Sequence, residues 1–318
     1  MNQIIIFISP FLFTVLLMPI FIDKLKSFSF GQQIRKEGPE SHYSKEGIPT
    51  MGGALILAIV LISIFIFLDL SIEIMLVLLV IITSGLLGFI DDILNIKGAE
   101  SLGLTAKTKF LIQLIIGLII GVLLFYYNIK DLYIPFTANS LNLGYLVIPF
   151  SLLLIPATSN AVNLSDGLDG LAGGLFTISC LAFIPILYIL GFKQLILLLA
   201  IIISSCLGFL WYNVNPTQIF MGDTGSLFLG SFLAILALLS GTSLYLLFFG
   251  GIFVIVTLSV ILQVSYFKIS GGKRIFKMAP IHHHFELSGW PEVKVTMRFI
   301  ILQILFSGVG IIASLPLF

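Results

Sequence analysis

"EIMLVLLVIITSGLLGFIDD", residues 73–92, contains no charged residue between Glu73 and Asp91 and ends in two aspartates. About 20 apolar residues let an α-helix cross a bilayer, so this stretch is predicted to span a membrane. Over the whole chain, apolar residues make up 58%, charged residues 10%, and the mean hydropathy is +1.16. Soluble domains carry about 25% charged residues. The sequence therefore predicts an all-α, polytopic membrane protein with the lipid bilayer as its surroundings.

Ten apolar runs can be marked, and they are interpreted as about ten transmembrane helices of one integral-membrane domain, residues 1–318. Their approximate bounds are 3–22, 51–69, 73–90, 109–127, 144–160, 171–190, 194–212, 224–240, 243–267 and 295–316. No basic residue precedes the first run, whereas Lys24 and Lys26 follow it. A signal peptide shows the opposite pattern. We therefore predict a retained first span with its N-terminus outside, and ten spans return the C-terminus to the outside.

The basic residues test this orientation independently, because Lys and Arg accumulate in cytoplasmic loops. Of the 16 Lys and Arg residues, only Lys130 and Lys193 fall outside. The predicted inside loops are 23–50, 91–108, 161–170, 213–223 and 268–294. These five loops also carry the unusual polar residues, so we predict that together they form one cytoplasmic active site. The outside segment 129–144 is interpreted as a small hairpin or surface segment.

Five of the aspartates on the predicted inside face stand in the polar motifs of the later loops, namely Asp91, Asp92, Asp166, Asp169 and Asp223. Carboxylates at a membrane boundary are costly unless they are hydrated, paired or bound to a cation. Asp166 and Asp169 are three residues apart and would share one face of a helix. Simpler interpretations exist for each, such as a solvated helix end for Asp91 and Asp92 or a helix cap for Asp223. Five together favour a cation, and hard oxygen ligands suit Mg²⁺.

Basic and amide side chains accompany the aspartates in the same loops. Lys45, Lys107 and Lys109 would complement phosphate charge, and Asn163 and Asn213 would donate uncharged hydrogen bonds. Carboxylates, Mg²⁺ and lysines at a membrane surface indicate phosphoryl or phosphosugar transfer. No nucleic-acid partner is predicted.

Three of the four histidines stand together in "MAPIHHHFELSGW", residues 278–290. Adjacent side chains on a helix diverge by about 100°, so His282, His283 and His284 are poorly placed to share one zinc ion. The HExxH spacing of a zinc site is also absent. Hydrogen-bond donors to a diphosphate, or scaffolding of the loop, fit the cluster better.

These motifs resemble the phospho-N-acetylmuramoyl-pentapeptide-transferase family, part of the polyprenyl-phosphate N-acetylhexosamine-1-phosphate transferases. The motifs that carry the resemblance, in the order of the family, are "GIPTMGG" (47–53), "FIDD" (89–92), "GLTAKTKFLIQ" (103–113), "NAVNLSDGLDGLAGG" (160–174), "WYNVNPTQIFMGDTGS" (211–226) and "GGKRIFKMAPIHHHFELSGW" (271–290). The last one is the most specific, because sister transferases lack it in this form. Ile48, where the family often has Thr, and the uncharged "ILNI" (93–96) depart from the pattern.

The resemblance implies a reaction, its substrates and its location. Phospho-MurNAc-pentapeptide would move from UDP-MurNAc-pentapeptide to undecaprenyl phosphate, giving lipid I and UMP in a Mg²⁺-dependent step of peptidoglycan synthesis. The protein would lie in the bacterial plasma membrane with its active site on the cytoplasmic face. The resemblance is compatible with a homodimer.

The resemblance also implies roles for individual residues. Asp223 would be the Mg²⁺ ligand, with Asp166 as a second candidate. Asp91 would be the base toward the acceptor phosphate, supported by Asp92. The residues implied to bind substrate, with His282 and His283 at the diphosphate or sugar, are Lys45, Thr50, Lys107, Lys109, Asn163, Asp166, Asp169 (by the uracil), Asn213, Phe220 (stacking on the base) and His284 (more structural).

Alternatives remain at this level. A sister transferase would use UDP-GlcNAc with a polyprenyl phosphate. A transporter would use the carboxylates as an ion path, although transporters place such residues near mid-membrane and in repeated halves. Within the transferase interpretation, the acceptor phosphate attacks directly, or an aspartate attacks first and forms a phospho-enzyme.

Overall fold

The computed structural model describes residues 3–27, 45, 47–97 and 103–317. Much of the first predicted inside loop (28–44) and part of the second (98–102) lie outside these residues. Within the described ranges, nine helices are long and apolar enough to cross a membrane, and a tenth apolar helix, Gly52–Phe67, is shorter. The protein is a multi-pass, all-α membrane protein, as the sequence predicted.

The helices follow the predicted runs closely, because each run is long, continuous and bounded by polar or glycine residues. The first six are α1 (Gln3–Ser27), α2 (Gly52–Phe67), α3 (Ile72–Lys97), α4 (Ala106–Tyr126), α5 (Val147–Ser165) and α6 (Leu171–Ile189). The others are α7 (Lys193–Asn213), α8 (Gly222–Leu239), α9 (Leu246–Phe249), α10 (Gly251–Ile269), α11 (Ile281–Glu286) and α12 (Glu292–Ser314).

The ninth predicted run, 243–267, is not one helix, and this corrects the sequence interpretation. A 3-10 turn over Ser243–Tyr245 leads into the short α9, and α10 begins only at Gly251. Gly250 separates the two helices with φ −117° and ψ 24°. Glycine is unfavourable inside a helix, and the pair Gly250–Gly251 marks the break.

Helix α8 is the centre of the bundle. Every residue from Thr224 to Leu239 is buried, and α8 packs against α2, α3 and α5. By contrast, at most about a third of each spanning window of α1, α4, α10 and α12 is buried, and the exposed side chains of these helices are largely Ile, Leu, Phe and Val. Such outward apolar faces are those expected of helices that contact lipid.

Small residues let the helices approach the first turn of α8. A Cβ at Gly88 of α3 would collide with the backbone of Asp223 and Thr224. A Cβ at Gly53 of α2 would likewise collide with the backbone of Gly225. Close approach at small residues is the usual way in which membrane helices pack. It brings the ends of α2 and α3 against the start of α8.

The predicted outside segment forms a hairpin, as one of its two interpretations had it. Strands β1 (Asp131–Tyr133) and β2 (Ser140–Asn142) pair antiparallel, with Leu132 opposite Leu141. The hairpin is bound to the C-terminal ends of two helices, since Tyr133 N donates to Gly241 O (2.7 Å) and Phe136 N to Ala313 O (2.8 Å). It therefore marks the end of the bundle opposite to the first turns of α8 and α12.

Candidate active site

Polar side chains from four of the predicted inside loops lie around the first turn of α8, and the fifth loop, 268–294, contacts the adjoining 166–170 turn. Two backbone contacts fix the segment before α2 to the segment before α8. Phe220 N donates to Pro49 O and Gly52 N donates to Phe220 O, each at 2.9 Å. These bonds draw Thr50 toward Gly222, where a Cβ would lie 3.0 Å from the Thr50 hydroxyl. The first turn of α8 is thus enclosed by loop backbone as well as by helix ends.

Asp92, at the end of α3, caps α8 from a neighbouring helix. Its Oδ1 accepts a hydrogen bond from Asp223 N, and its Oδ2 accepts one from Thr224 N, both at 2.9 Å. The Thr224 hydroxyl also donates to Oδ2. A carboxylate satisfies the unpaired N–H groups of a helix start and interacts favourably with its dipole. The carboxylate of Asp92 therefore locks α3 to α8, and it supports the neighbouring aspartates through this contact.

Lys109, in the first turns of α4, joins two aspartates from different helices. Its Nζ lies 3.1 Å from Asp91 Oδ2 and 2.8 Å from Asp223 Oδ2. Leu104 N and Asn95 Nδ2 also donate to Asp91, at 2.7 and 3.0 Å. The Asp91 side chain is 2% exposed and that of Asp223 is 23% exposed. Two carboxylates so close together require a cation between them, and the ammonium group of Lys109 supplies that charge.

Asn163 and Asp166 approach the same first turn from the end of α5. Asn163 Nδ2 donates to Asp223 Oδ1 and to Ser226 Oγ, both at 2.9 Å. Burial, together with the negative charges of Asp223, Asp92 and Asp169, raises the pKa of the Asp166 carboxyl to about 7, although a backbone hydrogen bond from Gly222 lowers it. A proton on this carboxyl would compete with a cation for its oxygen atoms.

Asp166 and Asp169 do not share a helix face, which corrects the expectation from their spacing. Helix α5 ends at Ser165 and α6 begins at Leu171, so both aspartates lie in the connecting turn, residues 166–170. Asp169 faces away from Asp223: its Oδ1 contacts Lys45 Nζ at 2.6 Å, and its Oδ2 accepts from Asn215 Nδ2 at 3.0 Å. Glycine in "DGLDG" breaks the helix, and the tertiary partners then decide the direction of each carboxylate.

Asn213 is buried and supports backbone. Its Oδ1 accepts a hydrogen bond from Gly170 N at 3.1 Å, and its Nδ2 donates to Ile219 O at 2.9 Å. These bonds tie the 166–170 turn to the segment that carries Phe220, which is partly buried. Lys107, two residues before Lys109, is exposed on the first turn of α4. The structure thus brings Lys109 into the aspartate cluster and leaves Lys107 at its edge.

The three histidines lie on α11, where the ring centroids of His282 and His283 are 4.3 Å apart. His282 is buried, and a Cβ on Gly167 would collide with its Nε2 and lie 3.3 Å from His283 Nε2. His283 Nδ1 pairs with Glu286 Oε2 at 2.8 Å. His284 Nδ1 accepts from Lys277 N at 3.1 Å. His282 and His283 therefore face the 166–170 turn, whereas His284 holds its own loop.

The carboxylates of this cluster offer the oxygen donors that Mg²⁺ prefers. Within the described ranges, no group of three or more His, Cys, Asp or Glu side chains is arranged to hold a metal ion. However, Asp91 and Asp223 already converge on one cation, the Lys109 ammonium. Asp223 is also accessible from solvent. A Mg²⁺ ion bound here would find oxygen donors at Asp223, with Asp91 and Asp166 beside it.

Glu292 is a site residue that the sequence interpretation did not identify. Its carboxylate contacts Lys45 Nζ at 2.7 and 2.8 Å and accepts from Asp169 N at 2.7 Å. The sequence "GWPE" carries a helix-start signal, since Pro precedes an acidic residue in a first turn. That signal places Glu292 in the first turn of α12. It contains nothing about Lys45, which is 247 residues away.

The chain is similar in sequence to known proteins. The family profile for Glycosyl transferase family 4 matches residues 74–241. A phospho-N-acetylmuramoyl-pentapeptide-transferase of Rickettsia prowazekii is 46% identical over 92% of this chain and 87% of its own length. Proteins of the same name from Desulforapulum autotrophicum and Thermodesulfovibrio yellowstonii are 43% and 42% identical, over 93% and 94% of this chain and 88% and 89% of their own lengths.

Proposed function

The chain belongs to the phospho-N-acetylmuramoyl-pentapeptide-transferase family, within Glycosyl transferase family 4, and we propose from this premise the reaction that its site performs. The acceptor is undecaprenyl phosphate, and the donor is UDP-MurNAc-pentapeptide. A phosphate oxygen of the acceptor attacks the phosphorus attached to the sugar. The bond from that phosphorus to the UMP moiety breaks, giving lipid I and UMP. This is a membrane step of peptidoglycan synthesis.

The observation that carries this proposal is the meeting of Asp91 and Asp223 on Lys109. In phosphoryl transfer the protein itself performs little covalent chemistry, so catalysis depends mainly on positioning the substrates and on electrostatic stabilisation of the transition state. A cluster of carboxylates with one lysine can hold a metal ion and a diphosphate together. Loops from five parts of the chain supply the surrounding donors.

Asp91 acts in this proposal as the base for the acceptor phosphate. Its carboxylate accepts hydrogen bonds from Leu104 N and from Lys109 Nζ, and these bonds hold it in one orientation. Asp92 keeps the end of α3 on α8, and so keeps Asp91 beside Asp223. Mg²⁺ held by Asp223, with Asp166 as the second ligand, would neutralise the diphosphate and stabilise the departing UMP.

The remaining residues bind the donor in this proposal. His282 and His283 face the diphosphate or the sugar, next to the 166–170 turn. Asn163, Lys109 and Thr50 lie around the first turn of α8 and would line the phosphate side. Asp169, Lys45 and the Phe220 ring would line the nucleoside side, with Asn213 supporting their backbone. Lys107 would contribute charge at the edge, and His284 holds the loop.

Purified protein tests the proposal directly. We expect UMP release from UDP-MurNAc-pentapeptide only when undecaprenyl phosphate and Mg²⁺ are both present. Asp223→Asn should reduce turnover by at least about 100-fold, because the ligand that brings the ion to the diphosphate loses its charge. Retained activity in Asp223→Asn would overturn the metal assignment. Equal or better turnover of UDP-GlcNAc would move the chain's reaction to that of a sister transferase.

A second measurement separates the two chemical routes. With radiolabelled donor and no acceptor, direct attack by undecaprenyl phosphate predicts neither UMP release nor labelled protein. A label that remains on acid-precipitated protein, accompanied by stoichiometric UMP, would instead establish a phospho-enzyme.

A further inference from the structure

Glu292 lies at the first residue of α12, and its carboxylate points inward to two groups of the site. It holds Lys45 Nζ through both oxygens, at 2.7 and 2.8 Å, and its Oε1 accepts the Asp169 N–H at 2.7 Å. The Glu292 side chain is 12% exposed and that of Lys45 is 13% exposed. We propose that Glu292 is a positioning residue for the nucleotide donor: it fixes Lys45 and the 166–170 turn so that Lys45 and Asp169 face the nucleoside. This inference rests on the proposed function.

The charges around Lys45 explain why Glu292 is needed. Asp169 Oδ1, at 2.6 Å, and the Glu292 carboxylate share one ammonium group. A lysine side chain is long and flexible, so one partner would leave it free to turn toward solvent. Two carboxylates on opposite elements restrict it to one direction. Hydrogen bonds to charged groups are also stronger than neutral ones.

Contacts of Glu292 with the backbone of the turn extend this restraint beyond Lys45. The Asp169 N–H has Glu292 as its acceptor, and the Asp169 carbonyl accepts from the Thr296 hydroxyl at 3.3 Å. Thr296 stands four residues after Glu292, on the same face of α12. The start of α12 thus contacts both the N–H and the carbonyl group of Asp169, while Asn215 Nδ2 donates to the carboxylate oxygen Oδ2 at 3.0 Å.

The restraint acts on one end of the turn only. Asp166, at the other end, contacts Gly222 beside Asp223. Among the residues that the structure describes, the hydrogen-bond partners of Asp91, Asp92 and Asp223 lie in α3, α4, α5 and α8 and at Leu104, and none lies in α12. Loss of Glu292 should therefore disturb donor binding without disturbing the aspartate cluster. That separation distinguishes a positioning role from a general structural one.

The experiment compares Glu292→Gln and Glu292→Ala with the wild-type chain in detergent or nanodiscs. Glu73→Gln is the matched control, because Glu73 is also an acid in the first turn of a spanning helix and lies at the opposite end of α3 from Asp91. We expect the donor KM of Glu292→Ala to rise by about 10- to 100-fold. The donor KM of Glu292→Gln should rise less, because the side-chain carbonyl oxygen of Gln still accepts a hydrogen bond from Asp169 N. The acceptor KM and the Mg²⁺ half-saturation should change by less than about twofold in both.

Several outcomes would overturn the inference. One is an unchanged donor KM in Glu292→Ala that elutes and melts like the wild type. Another is a decrease in the kcat of Glu292→Ala with both KM values unchanged. A third is an increase in the KM values of both donor and acceptor. If Glu292→Ala does not fold, Glu292→Gln tests the inference in the same way: its donor KM should rise while its acceptor KM stays unchanged. Failure of the proposed function is recognised separately, since the wild-type chain would then release no UMP from this donor.

Discussion

Lys109 shows at the scale of one residue how a membrane protein assembles like charges. Asp91 and Asp223 come from two helices, and their carboxylates would repel one another without a cation. The ammonium group lies 3.1 and 2.8 Å from them and is 24% exposed. Removing one partner from such a cluster leaves uncompensated charge, which is costlier than losing the attraction itself. Lys109 therefore maintains the site before any substrate arrives.

Lys109→Met is expected to reduce turnover by about 100-fold, because both the positive charge at the diphosphate and the contact between the aspartates are lost. UMP release at saturating substrates and Mg²⁺ measures this. Lys107→Met is the matched comparison, since Lys107 is exposed two residues away on the same helix, and it should lose less. Similar losses in both variants would mean that general surface charge, rather than the Asp91–Lys109–Asp223 contact, matters.

The ends of helices, rather than their middles, carry the chemistry at the scale of the element. Asp91 and Asp92 end the apolar part of α3, Lys109 starts α4, and Asp223 starts α8. A helix start presents unpaired N–H groups and a partial positive charge. Asp92 occupies those groups at α8 from a neighbouring helix. The alternative of a simple solvated helix end for Asp92 is thereby excluded.

Gly88→Val is expected to separate α3 from the first turn of α8, because a Cβ there would collide with the Asp223 backbone. Overpacking of this kind costs about 1–3 kcal/mol, and it displaces Asp91 and Asp92 from Asp223. Turnover should fall by at least about tenfold, with a raised Mg²⁺ half-saturation.

Gly308→Ala is the control for Gly88→Val, since a Cβ at Gly308 of α12 would meet nothing within 4 Å. Ala is favoured over Gly inside a helix, so this variant should keep the wild-type turnover and melting temperature. Normal Mg²⁺ dependence in Gly88→Val would show that the close approach of α3 and α8 does not position the aspartates.

The whole molecule places the candidate site and the hairpin at opposite ends of the same helices. Helix α8 has 18 residues and extends about 27 Å at about 1.5 Å per residue. Its first turn carries Asp223, and the hairpin is bound near its far end, at Gly241. The hydrocarbon core of a bilayer is about 30 Å thick. The two ends of the bundle therefore belong to opposite sides of the membrane.

Single cysteines test which side is which. The two native cysteines, Cys180 and Cys206, are buried, whereas Ala138 in the hairpin and Lys273 before α11 are exposed. A membrane-impermeant maleimide should label Ala138→Cys in intact cells. It should label Lys273→Cys only after the membrane is opened, because basic loops stay in the cytoplasm. The reverse pattern would put the candidate site outside.

Hydropathy and charge determined the coarse result from the sequence alone. The helix positions, the predicted sidedness and the set of polar loops follow from local composition, because a bilayer demands long apolar runs and internally bonded backbone. Hydropathy missed two features. It did not show the helix break at Gly250, and it did not show the turn that contains Asp166 and Asp169, whose carboxylates are directed by tertiary partners.

Tertiary structure alone decided which polar side chains meet. Sequence motifs named Asp91, Asp223 and Lys109, but the packing of α3, α4 and α8, with a close approach at Gly88, brings them together. It also turned Asp92 into a cap, buried Asn213 as support, and paired Lys45 with Glu292. The reason is physical. Each apolar run can span the bilayer because of its own composition, whereas an ion pair between distant residues forms only once the helices have packed.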